Sequence, residues 1–384
     1  MALRKIINGL VFHEDGSFTP ETVYICGEKI VSQEIYEKEY YNASSSETVT
    51  DAAGNYVIPG LTDIHFHGCM GSDCCDGTVE AFQTIARYEL SQGITSITPA
   101  TMTMSEEVLS SICRAAKTYR DSADENAADF CGLYMEGPFI NASKKGAQNE
   151  KYITPADTAM LNRLQDLSDN MLRTVAIAPE TAGAMDFIRE NSSRVNISIA
   201  HTAADYDTAK EAIACGASQL THTYNAMPPF THRAPGPIGA AADDADCRAE
   251  LICDGIHIHP AVVRTTFKIF GDDRIILISD SMRAAGLEDG QYDLGGQNVT
   301  VKGNLAVLKD GTIAGSVTNL MDCVRTAVRD MNIPLASAVK CAAVNPAKAV
   351  GIYDAYGSLA PGKYANIVIL DKNLEIKTVI HHGI

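Results

Sequence analysis

Short aliphatic runs, each closed by a histidine, glutamate or aspartate, recur along this chain and restrict its fold more than any other feature. Residues 56–61 lead into Asp63-Ile64-His65-Phe66-His67-Gly68, 133–135 into Glu136, 195–200 into His201, 220–221 into His222, and 275–279 into Asp280. Runs of this length rich in β-branched and aliphatic residues suit strands buried on both faces of a parallel sheet. Alternate residues of a strand share a face, so His65 and His67 can aim two imidazoles at one ion. In every case the chemically competent residue sits at the C-terminal end of its run.

Strands are expected over 57–65, 94–99, 132–136, 173–178, 196–201, 218–222, 250–254 and 274–280, with helices between them over 78–92, 106–120, 155–169, 182–191 and 205–215. Gly93 and Gly216 supply helix stops. Eight strands alternating with helical or crossover segments predict an α/β fold, a (β/α)8 TIM-like barrel over 55–345, in which chemistry gathers at strand C-termini. The flanks read differently. Residues 1–54 and 346–384 show short strands and turns, such as Asp15-Gly16 and Ala360-Pro361-Gly362, and predict a small β-sandwich domain built from both chain termini. A helix carries Asn345-Pro346-Ala347 before that tail, and residues 291–313 read as an inserted hairpin with turns at Gly295-Gly296 and Asp310-Gly311.

A length of 384 residues exceeds what one ordinary core supports, which agrees with a large barrel plus a satellite. The chain has no apolar run of about 18 residues and no charged-then-apolar leader, so a cytoplasmic protein without membrane contact is expected. A net charge of −17 argues against nucleic acid and anionic membranes as partners. A few local cations can still hold one phosphate. The 11 cysteines are odd in number and form no framework, so reduced thiols are expected. Cys69, Cys74 and Cys75 lie near the first histidine pair but lack two-knuckle zinc spacing. His13, His232, His259, His381 and His382 have no strand-end partner, so surface or packing roles are expected for them.

The blocks 59–68, Glu136-Gly137-Pro138-Phe139, Ala200-His201-Thr202, His222-Thr223-Tyr224-Asn225-Ala226-Met227-Pro228, Arg233-Ala234-Pro235-Gly236, Asp254-Gly255-Ile256-His257, Ser279-Asp280 and the tail 357–366 together resemble the amidohydrolase superfamily. Within it they are similar to the N-acetylglucosamine-6-phosphate deacetylases, over nearly the whole chain. The resemblance implies hydrolysis of the acetamide of an N-acetylhexosamine 6-phosphate. Amide hydrolysis needs a strong nucleophile, a polarised carbonyl and a proton for the amine, and two imidazoles with a carboxylate suit Zn²⁺ or Fe²⁺ for such work.

By resemblance, Glu136, His201 and His222 are the principal metal ligands. His65 and His67 would hold a second ion, with Glu136 bridging and Asp280 nearby; one ion and two per subunit both remain open. Asp280 is the expected general base and acid. Arg233 and His257 are expected to meet the phosphate, together with the backbone at Asn225 and Ala226, and the matching arginine in relatives arrives from the neighbouring subunit of a homodimer. Many relatives carry histidine where this chain has Gln148, which can hydrogen-bond a sugar but cannot titrate. Asn366 replaces a common aspartate and is expected to tune a turn far from the chemistry. Alternative activities are deacetylation of the galactosamine epimer, hydrolysis of a cyclic amide, and a sugar-phosphate sensor without turnover. Cyclic-amide relatives usually carry a carbamylated lysine where this chain has Glu136.

Overall fold

The computed structural model describes residues 2–42, 47–122 and 124–384. Its centre is a ring of parallel strands of the TIM-barrel type. The strands are β1 (Leu61–Asp63), β2 (Ile94–Ile97, continued at Ala100–Thr101), β3 (Leu133–Met135, preceded by Asp129–Phe130), β4 (Leu172–Ile177), β5 (Asn196–Ile199), β6 (Gln219–Leu220), β7 (Arg248–Ile252) and β8 (Ile275–Ile278). Each pairs in parallel with the next. Beyond the strand ends, the Asp280 N–H donates to the His65 carbonyl at 3.0 Å and the His67 N–H to the Ser281 carbonyl at 2.7 Å. The last strand therefore returns beside the first.

Helices follow the strands in turn: α1 (Val79–Ser91), α2 (Glu106–Ser122), α3 (Thr158–Ser168), α4 (Ala184–Asn191), α5 (Tyr206–Ala214), α6 (Gly236–Asp243), α7 (Pro260–Phe270) and α8 (Leu320–Arg329). Local chemistry starts several of them. The side chains of Thr78, Asp157, Asp205 and Asn319 accept first-turn N–H groups of α1, α3, α5 and α8. Period-two alternation then sorts the strand residues. Ile197 and Ile199 of β5 pack in the large core with the helices, whereas Ala200 meets Ala100, Tyr134 and Ala176 in a separate small cluster. Polar groups in the strands pair with one another: the Thr221 hydroxyl lies 2.7 Å from Tyr134 Oη and 2.6 Å from Ser198 Oγ.

The expected first strand over 57–65 proves to be two. Tyr56–Pro59 lies between Leu3–Phe12 and Ile367–Leu370 in a seven-stranded mixed sheet drawn from both chain ends, and only β1 joins the barrel. Gly60 sits at the step, where a Cβ would lie 2.2 Å from Thr95 Oγ1, so only glycine fits there. The terminal sheet has its own apolar core, including Ile6, Ile25, Val57 and Ile367. The insertion after β8 is a three-stranded antiparallel sheet, Gly290–Leu294, Gln297–Lys302 and Leu305–Val307, turning at Gly295-Gly296 with positive φ at both residues. No described helix is long and apolar enough to cross a membrane.

Candidate metal centre and active-site cleft

The five strand-end residues expected to bind metal converge on one buried point with Asp280. Glu136 Oε1 lies 3.0 Å from Nε2 of both His201 and His222, and those two nitrogens are 3.2 Å apart. Ligands about 2.0–2.1 Å from a tetrahedral ion stand about 3.3 Å from one another, so this triangle has the right size for one. His67 Nε2 is 3.3 Å from Glu136 Oε2 and 3.3 Å from Asp280 Oδ1, while His65 Nε2 is 3.6 Å from Glu136 and 3.9 Å from Asp280. The ligand atoms fall into two sets, Glu136–His201–His222 and His65–His67–Asp280, each within 4.8 Å.

The outer ring nitrogens fix the tautomers. Nδ1 of His201 lies 2.9 Å from the Lys144 carbonyl, Nδ1 of His67 3.2 Å from the Ala100 carbonyl, and Nδ1 of His65 2.8 Å from Glu250 Oε2. Each partner only accepts, so each Nδ1 carries the proton and each Nε2 presents a lone pair. Three lone pairs then face the lone pairs of a carboxylate that has no proton to give them. His65 Nε2 is buried without a hydrogen-bond partner. Only positive charge reconciles such a set, as a bound cation or as extra protons. The same demand appears in the acidities. Burial would neutralise Glu136, yet the four surrounding imidazoles hold it well below the carboxylate range. Burial works against a charged His67, but Asp280 and Glu136 push it up to about 10.

Support for the ligands comes from Glu250 and Asp63, for which no role was expected, and from Gln148, which was expected to meet the sugar. Glu250, inside β7, accepts from His65 Nδ1, from the His222 N–H at 3.0 Å and from Gln219 Nε2 at 2.5 Å. Its sequence signal was an acid leading into the apolar run Leu251-Ile252-Cys253. Asp63 accepts from the His65 N–H and from Ser279 Oγ at 2.5 Å, tying β1 to β8 beneath the site. Gln148 donates to Glu136 Oε2 at 2.6 Å and accepts the Thr103 N–H at 2.7 Å, so both ends of its amide are engaged. None of the described cysteines belongs to a metal-ligand set, and none is joined in a disulfide.

Above the ligands opens a cleft of ≈ 390 Å³, within the usual range for small-molecule sites. Asn225, Ala226 and His257 line it, as does the inserted sheet through Leu294. The insertion, whose role the sequence left unreadable, thus forms one wall. His257 Nδ1 is held by Asp254 Oδ2 at 2.7 Å. Arg233 is exposed on the loop after β6 and does not line the cleft of its own chain.

Residues 56–384 match the amidohydrolase family. The chain is 35% identical to the N-acetylglucosamine-6-phosphate deacetylase of Bacillus subtilis (strain 168) over 342 residues, 88% of this chain and 86% of that one. It is 34% identical to the N-acetylgalactosamine-6-phosphate deacetylase of Escherichia coli O157:H7 over 339 residues, 88% and 89% of the two chains. Among solved structures, the N-acetylglucosamine-6-phosphate deacetylase of Pasteurella multocida superposes with a TM-score of 0.90 at 27% identity, covering 99% of this chain and 98% of the other.

Proposed function

The chain belongs to the amidohydrolase family, and from that premise we propose that it hydrolyses the acetamide of N-acetyl-D-glucosamine 6-phosphate to glucosamine 6-phosphate and acetate. The convergence of imidazole lone pairs on Glu136 beneath a cleft of this size carries the reading. Glu136, His201 and His222 are the residues that would hold Zn²⁺ or Fe²⁺, with His65 and His67 available to a second ion. When bound, such a cation acidifies water and draws electron density from the amide carbonyl oxygen.

The remaining work falls to the chain. Asp280, held at the mouth beside His67, takes the proton of the attacking water as the C–O bond forms. It returns that proton to the nitrogen as the C–N bond breaks, so the sugar leaves as an amine. The burial of Glu250, Asp63 and Gln148 fixes the ligand orientations before substrate arrives. His257 and the backbone at Asn225 and Ala226 receive the phosphate, and Arg233 reaches it from the neighbouring subunit of a homodimer.

Acetate release from the 6-phosphates of both epimeric N-acetylhexosamines, measured on the metal-loaded protein, tests this. Faster turnover of the gluco epimer is expected. Preference for the galacto epimer would overturn the substrate, and binding without acetate release would overturn the enzyme.

A further inference from the structure

On the far side of the barrel, the residues after the last strand, Ile376–Ile380, stand against Asp129, which opens the segment that ends in Glu136. We propose that Asp129, His381 and His382 form a separate, structural metal site for a divalent ion of the Zn²⁺ type. His382 Nε2 lies 2.8 and 2.9 Å from the two Asp129 oxygens, and His381 Nε2 lies 3.3 Å from Oδ2. One ligand atom from each residue falls within 4.8 Å of the others. The sequence reading gave both histidines surface or packing roles, because their partner lies 252 and 253 residues away.

A plain pair of hydrogen bonds does not account for the arrangement. His382 is well paired to the carboxylate, but His381 Nε2 is buried with no hydrogen-bond partner, an orphan that a metal bond would satisfy. Two imidazoles and a carboxylate are a donor set that zinc accepts, leaving a fourth position for water. That position is available, since a cavity of ≈ 430 Å³ is lined by Asp129, His381 and His382. Among the described residues, Glu28, Asp124 and Glu125 line it against one arginine, Arg120, a balance that draws cations inward. The carboxylate is also held in place. Asn366 donates to Asp129 Oδ2 at 3.2 Å and accepts the His382 N–H at 2.9 Å, so the residue expected only to tune a turn orients two of the three ligands.

Glu136 lies seven positions beyond Asp129, on the order of 20 Å along a strand. An ion at Asp129 therefore takes no part in the cleft's chemistry; it fastens the chain's last strand to the foot of the barrel.

The test compares the whole protein with the His381→Gln and His382→Gln variants. Each is stripped with chelator, dialysed against micromolar zinc in excess magnesium, and measured for zinc per chain and for acetate release. The variants should hold one zinc fewer per chain and release acetate at the unaltered rate. Equal zinc content would overturn the site. Crystals of the unmutated protein should show a zinc-edge anomalous peak among the three side chains, and this decides the matter if the variants fold poorly; a map without that peak overturns the proposal.

Discussion

Replacing Gln148 by leucine should loosen the metal centre without emptying the cleft. The amide of Gln148 donates to the buried, ionised Glu136 at 2.6 Å and simultaneously accepts the Thr103 N–H. A hydrogen bond to a charged group contributes roughly 1.5–3 kcal/mol, about a 10- to 100-fold change in an equilibrium constant. The same span is typical when a partner that orients a metal ligand is removed, about 10- to 100-fold in metal affinity. Leucine nearly matches glutamine in volume, so the expected loss comes from Glu136 turning rather than from a cavity. The orphaned Thr103 N–H adds roughly 1–3 kcal/mol of destabilisation to the fold. Zinc affinity measured by competition with a chelator, alongside thermal unfolding of the metal-free protein, separates the two effects. Affinity within twofold of the unmutated protein would refute the idea that Gln148 positions Glu136.

Asp280→Asn should lower kcat by about 10²- to 10⁴-fold while leaving substrate binding intact, because it removes the proton carrier and little else; near-normal acetate release would rule the carrier out. Arg233→Ala should raise KM for the phosphorylated sugar about 10- to 100-fold, the equivalent of one charge-assisted contact, and barely alter KM for the unphosphorylated sugar. Equal effects on the two sugars would remove the phosphate assignment. Burial opposes charge on His257, but its bond to Asp254 outweighs that and raises its pKa above the ordinary histidine value. The cationic ring therefore persists above about pH 6.5 and is lost as pH climbs through the raised value, where KM for the dianionic phosphate should increase. A His257→Gln enzyme should lose that limb of the KM profile; an unchanged limb would assign it elsewhere.

The parts of the site legible in the sequence share one property: they terminate runs. Glu136, His201, His222 and Asp280 each follow an apolar stretch, and a parallel barrel delivers all such ends to one mouth. Glu250 escaped because it opens its expected run instead of closing it, and there only strand register decides whether a side chain faces inward. Gln148 was visible as a departure from its relatives, but its partners 12 and 45 residues away were not. The division of residues 57–65 into two strands was hidden for a local reason. The run stays apolar from Tyr56 through Leu61 across the break, and the closeness of Thr95 that leaves no room for a Cβ at residue 60 is a tertiary feature. The Asp129 cluster lay furthest from view, joining a short strand to a turn on the far side of the chain.

Three of the convergent residues share a backbone feature that explains how strand ends become a site. His201, His222 and Asp280 have φ of 43°, 28° and 48°, left-handed values that cost non-glycine residues about 1–3 kcal/mol each. At each of them the chain leaves the strand direction, and the side chain meets the others over the barrel mouth. Neighbours clamp every one of these turns. The His201 carbonyl accepts from Asn141 at 3.0 Å, the His222 N–H is held by Glu250 and its carbonyl by Asn225, and the Asp280 N–H and carbonyl are engaged by His65 and Ser316. Substitutions at these positions therefore change the backbone as well as the chemistry. Asparagine tolerates left-handed φ nearly as readily as aspartate, so Asp280→Asn isolates the proton. Asp280→Val would add strain from a β-branched residue, and its inactivity would not distinguish a lost base from a displaced strand end.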